Sequence, residues 1–114
     1  MIHSYVDNLF CDGYYFFMRG WILHKEIPSW SLSKKIVLYS NVNTIQIVPD
    51  LDLRPDVSQA FNTQGGKDFI NYDHSGFVLK VLKQNLPSDY FNVRIEVKCK
   101  EISETVNLKN MIYI

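Results

Sequence analysis

Tyr90-Phe91-Asn92-Val93-Arg94-Ile95-Glu96-Val97-Lys98-Cys99 alternates apolar and polar residues with a period of two. Phe91, Val93, Ile95, Val97 and Cys99 fall on one side and Asn92, Arg94, Glu96 and Lys98 on the other, the pattern of a half-buried antiparallel strand. On a helix the same apolar residues would spread around the whole circumference instead of forming a stripe. Cys99 continues the apolar face and is expected as a buried, inert thiol.

Tyr14 to Leu23 reads as a second strand, opened by an Asp12-Gly13 turn and closed by His24-Lys25-Glu26 and Pro28. One face carries Tyr14, Phe16, Met18, Gly20 and Ile22; the other carries Tyr15, Phe17, Arg19, Trp21 and Leu23. Both are apolar, so the strand belongs at the centre of a sheet, with one face in the core and the other covered by a loop, a partner domain or a ligand. Arg19 can stack on the neighbouring rings. Further strands are expected at Ser4 to Phe10, Lys35 to Tyr39, Thr44 to Val48, Gly76 to Gln84 and Glu104 to Leu108, with room for another at Met111 to Ile114. Such spacing matches an all-β, immunoglobulin-like antiparallel sandwich of about seven strands. No helical period separates any two strands, which disfavours a parallel α/β sheet and most nucleotide-binding folds.

One short helix is expected near residues 55–61. Pro55 suits a first helical turn, Asp56 places negative charge at the positive end of the dipole, and Val57, Ala60 and Phe61 share a face that can dock on the sandwich. Asn62 to Ser75, with Gly65-Gly66, reads as a long connection in which the two glycines form a turn.

The chain has 114 residues, 46% hydrophobic and 14% aromatic, enough for one domain spanning residues 1–114 with one core. Twelve Lys plus Arg balance twelve Asp plus Glu, so no global field attracts nucleic acid or an anionic membrane. Zero net charge also weakly favours self-association through apolar edges, which leaves room for a homodimer. Met1 to Asp7 lacks the basic and apolar regions of a secretory signal, and the longest apolar run, Tyr14 to Met18, is too short to cross a bilayer. A cytoplasmic protein is therefore expected, with Cys11 and Cys99 as free thiols.

Gly20-Trp21 in an early strand, Arg54, Asp56-Val57 and Phe61 in the central plug, Gly76-Phe77 opening a late strand, and Tyr90 after the Leu86-Pro87-Ser88-Asp89 turn together resemble a β-sandwich domain. That domain accompanies bacterial glycosyltransferases and cell-wall glycopolymer synthases of the teichoic-acid type. The resemblance runs from about Phe10 to Leu108. It implies a noncatalytic accessory module, beside glycosyl or phosphoglycerol transfer, whose partner is a transferase or synthase domain. The chain departs from the usual arrangement in that no transferase domain lies within its 114 residues. Arg54 and Asp56 also suit a structural role, the guanidinium bonding several acceptors and the carboxylate accepting amide hydrogen bonds.

No catalytic set, metal site or cofactor site is expected. Asp50-Leu51-Asp52 has an Asp-x-Asp spacing that elsewhere grips a metal-bound sugar nucleotide, but that chemistry needs an α/β domain and a deep cleft; here the acids after Pro49 fit an exposed loop. His3, His24 and His74 lack ligands at zinc spacing. Tyr72-Asp73-His74-Ser75 sets Asp, His and Ser side by side, yet a hydrolytic triad must converge in space rather than in sequence. Trp30, in Pro28-Ser29-Trp30-Ser31-Leu32, either caps one end of the sandwich, the favoured expectation since most large aromatics serve burial, or stacks on a sugar ring. With Tyr72, Asp73 and His74 it forms the candidate group for a glycan or partner, the alternative function being a freestanding carbohydrate-binding module.

Overall fold

The computed structural model describes residues 2–62, 68–100 and 102–113; the expected Gly65-Gly66 turn lies outside them. In chain order the strands are β1 (Ile2–Cys11), β2 (Tyr15–His24), β3 (Ser33–Tyr39), β4 (Thr44–Ile47) and β5 (Asp50–Asp52). Helix α1 (Pro55–Asn62) follows, then β6 (Gly76–Leu82), β7 (Tyr90–Lys98), β8 (Ser103–Asn107) and β9 (Ile112–Tyr113). Short 3-10 turns occupy Ser29–Ser31, Asp73–Ser75 and Lys83–Asn85.

Every ladder is antiparallel. One sheet runs β1-β2-β6-β5 and the other β4-β3-β7-β8, with β9 pairing the start of β7. This is the strand order of an immunoglobulin-like sandwich, in which successive hairpins alternate between two facing sheets. The inward residues of both sheets form the core: Phe16, Met18 and Ile22 of β2, Ile36 and Leu38 of β3, Phe77 and Leu79 of β6, and Phe91, Val93, Ile95 and Val97 of β7. Phe16 meets Phe91 edge-on at 5.3 Å. Each such side chain stabilises the fold by about 1.5–3 kcal/mol relative to exposure.

The Asp12-Gly13 turn forms because Asp12 Oδ1 accepts the backbone N–H groups of Tyr14 and Tyr15, both at 2.7 Å. These amide bonds hold the Asp12 carboxyl below the ordinary range.

Four expectations need correction. Asp50-Leu51-Asp52 is not a loop but a short edge strand paired with Gly76 to Val78; three residues after a proline carry too little periodicity to announce it. On α1, Val57 and Phe61 dock on the sandwich as expected, whereas Ala60 is exposed and Ser58 is buried in its stead, bonding inward. Cys99 lies beyond the end of β7 and is half-buried rather than sealed in the core, although both cysteines are free thiols. Tyr14 and the stretch after Leu82 fall outside the strands: Tyr14 lies in the turn before β2 and Lys83–Asn85 form a 3-10 turn, although Lys83 N–H still bonds Tyr14 O beside the end of the ladder between β2 and β6. Among the described residues, no helix is long and apolar enough to cross a membrane.

Candidate functional site

The outer face of the β1-β2-β6-β5 sheet divides into two halves. Over one half lies α1. Its Val57 and Phe61 pack with Leu23, Trp21, Ile70 and Tyr72 into a second, smaller core. Phe61 touches three rings edge-on: His3 at 5.3 Å, Trp21 at 5.6 Å and Tyr72 at 6.0 Å.

Arg54 holds the helix in place. Its side chain is 12% exposed, its Nη1 donates to Asp7 at 2.6 Å, and its Nε and Nη2 donate in a fork to Asp56 at 3.0 and 2.9 Å. Asp7 occupies the bulge where the register of β1 against β2 shifts between Val6 and Asn8. A single guanidinium thus ties the edge strand to the first turn of the helix, in the planar two-toothed geometry that lysine cannot supply. Hydrogen bonding to Asp56, then the contact with Asp7, raises the Arg54 pKa above its ordinary value, and Arg54 in turn holds Asp56 below the usual carboxylate range. The backbone of Arg54 works as well: its N–H bonds Asp73 O at 2.8 Å and its carbonyl accepts Val57 N–H at 3.1 Å.

Both motif glycines are required by close approach. A Cβ on Gly76 would sit 2.0 Å from Asp52 O and 2.5 Å from Arg54 Cγ, and one on Gly20 would sit 2.3 Å from Tyr5 O. Trp21, Arg54, Asp56, Val57, Phe61 and Gly76 meet around one helix-on-sheet junction, whereas Gly20 lies against Tyr5 and the Phe77 ring on the core side of the same sheet. Phe77 points through the sheet into the main core, and Tyr90 stands apart, paired with Tyr113 at 6.3 Å.

The candidate group at Trp30 and Tyr72 to His74 separates on inspection. The two turns do share an end of the sandwich, with Ser29 N–H bonded to Asn71 O at 3.0 Å. Trp30, however, is 66% exposed and is not a buried cap; it lies on a one-turn 3-10 segment whose buried residue is Ser29. Tyr72 is 2% exposed and bonds the Lys25 carbonyl through its hydroxyl; burial, then Glu26, pushes its pKa up. Asp73 accepts the Ser58 hydroxyl at 2.6 Å, and Tyr72 N–H bonds the same Ser58 oxygen at 2.7 Å. His74 Nδ1 and Ser75 Oγ are buried without a hydrogen-bond partner, so Asp73, His74 and Ser75 are not linked as a proton relay.

Further side-chain contacts complete the junction. Asn62 clasps Ile70 from both sides, donating to Ile70 O at 2.8 Å and accepting its N–H at 3.1 Å. Arg19 does not stack on the adjacent rings; its Nε pairs with Asp52 at 2.8 Å. Asn at the end of a helix is a readable cap signal, whereas Asp7 and Asp52 reach partners far along the chain and have none.

The other half of the outer face is bare. Phe10, 51% exposed, stacks on Phe17 at 5.0 Å, and Lys80 Nζ lies 4.1 Å over the Tyr15 ring. Two clefts open along the opposite flank. One of about 520 Å³ is lined by Leu32, Lys34, Asp50, Phe77 and Lys98, among others, and one of about 500 Å³ by Tyr15, Ile45, Ile47, Lys80, Val81 and Leu82. Lys34, whose Nζ donates to His74 O at 2.7 Å, is held below the ordinary lysine range by burial. Among the described residues, no group of three or more His, Cys, Asp and Glu is placed to hold a metal ion.

Comparison with protein-family models, with curated proteins and with solved structures gives no match.

Proposed function

We propose that this chain is a noncatalytic accessory module of bacterial cell-wall or surface-polysaccharide synthesis, acting in the cytoplasm beside a glycosyltransferase or glycopolymer synthase. The observation that supports a docking role is the half-covered outer sheet face. The chain's own helix shields Trp21 and Leu23, while beyond the Arg19–Asp52 pair the exposed Phe10 and the half-buried Phe17 and Tyr15 form an aromatic patch that the helix leaves uncovered. Contiguous exposed aromatic surface rimmed by charge is the usual mark of a protein contact. The choice of partner rests on the resemblance carried by Gly20-Trp21, Arg54, Asp56-Val57, Phe61, Gly76-Phe77 and Tyr90. Immobilised chain should recover a glycopolymer enzyme from the native host, and the pair Phe10→Ser, Phe17→Ser should lose it. Recovery of unrelated complexes alone would reject the assignment.

Exposure of Trp30 favours a second reading, a freestanding carbohydrate-binding module in which this indole stacks on a pyranose. Calorimetric titration against a glycan set separates the two. Binding that Trp30→Ala abolishes while melting is unchanged selects the glycan module; no binding by the unaltered chain rejects it.

A further inference from the structure

The segment from Thr44 to Asp52 crosses from one sheet to the other. Its first part, β4, covers β3 only from Ile36 to Tyr39, and its last part, β5, covers β6 only from Gly76 to Val78. Pro49 lies between them and, lacking an N–H, cannot prolong either ladder. On the far side from β2, therefore, Leu79 to Leu82 of β6 have no paired strand among the described residues. The cleft of about 500 Å³ opens along this stretch.

The register decides what this edge can receive. Val81 lies opposite Phe16 and Leu79 opposite Met18, so both point inward; across the gap Ile45 and Ile47, opposite Leu38 and Ile36, point inward as well. Ile45, Ile47 and Val81 stay only half-buried, because the layer between the two sheets is incomplete there. Lys80 and Leu82 face outward, and Lys80 together with Lys83 makes the rim cationic, with Asp12 their counter-charge.

We propose that the open edge of β6 receives an extended segment of a partner protein as an added strand, apolar at alternate positions and acidic beside Lys80. Unpaired amides and carbonyls at strand spacing match another backbone and not a sugar, and four residues of β6 span about 13 Å at about 3.3 Å per residue. Inward side chains of the guest would complete the layer between Val81 and Ile45 and Ile47, while an outward carboxylate would meet Lys80. A second copy of this chain is a poor guest: its long edge strand, β1, is broken by the bulge that Arg54 holds at Asp7. The inference rests on the reading of the chain as an interaction module and makes the contact strand-to-strand.

The test selects phage-displayed random decapeptides on the immobilised full chain, then titrates the most enriched peptide into isotope-labelled protein while amide exchange is followed. Enriched peptides should alternate apolar residues with an acid, and groove-side amides of Leu79 to Leu82 should exchange at least about tenfold more slowly when bound. Ile47→Asp should weaken binding by about tenfold or more, with β7 amides still protected. Lys80→Glu, at an exposed site, should switch the preferred outward residue from acidic to basic. No enrichment above bare support, protection mapped to β1 or to Phe10 and Phe17, or slowed exchange that grows with protein concentration without peptide would each overturn the proposal. If native pull-down recovers a transferase equally well with Ile47→Asp, the strand contact fails and the accessory role survives. If peptides bind the edge but no transferase is recovered, the reverse holds.

Discussion

Gly76 has a carbonyl where its side chain would be. The 2.0 Å approach to Asp52 O involves backbone on both sides, and Arg54 Cγ closes the remaining space, so no rotamer change can make room. Gly76→Ala must push β5 off β6, and urea denaturation should show a loss of about 3 kcal/mol or more. Asp56 gives a pH effect of definite sign. Arg54 lowers its pKa in the folded state, so the pair's stabilisation is present above the unfolded value of about 3.9 and is lost as the pH falls through the lower folded value. Melting temperature should drop below about pH 4, and Asp56→Asn should flatten that drop. The change is modest because the Asp56 carboxylate is largely exposed and screened by water. Gly20, Arg54 and Gly76 were readable as special positions. Their reason was not, since Asp7 is 47 residues from Arg54 and meets it only through a bulge that the period of two does not predict.

Elements differ in how openly they are written. β2 and β7 were legible because ten and nine residues alternate or stay apolar throughout, and α1 because Pro55 and Asp56 mark its start. β5 was hidden by its length and its acids, and the exposure of Trp30 by the general tendency of indoles to be buried. The helix owes its place to packing, since eight residues are too few to be stable alone. Removing its main anchor should therefore release it as a unit. Phe61→Ala, which empties the space between His3, Trp21 and Tyr72, should cost about 2–4 kcal/mol in urea and weaken near-ultraviolet circular dichroism, while the β-sheet signal of the far ultraviolet is kept.

At the scale of the molecule, each sheet joins hairpins distant in sequence, through β2 pairing with β6 and β3 with β7. Loop closure must precede these central pairings, so refolding should take milliseconds to seconds by stopped flow rather than microseconds. The hydrophobic layer was legible as a whole; which outer face remained bare depended on where one short helix settled. That helix also gives the chain an optical handle. Trp21 lies beneath Phe61 and Trp30 in water, so lifting α1 shifts the emission of one indole to the red and leaves the other as a constant background. With Trp30→Phe, the remaining fluorescence becomes a single-colour gauge of whether the helix is seated.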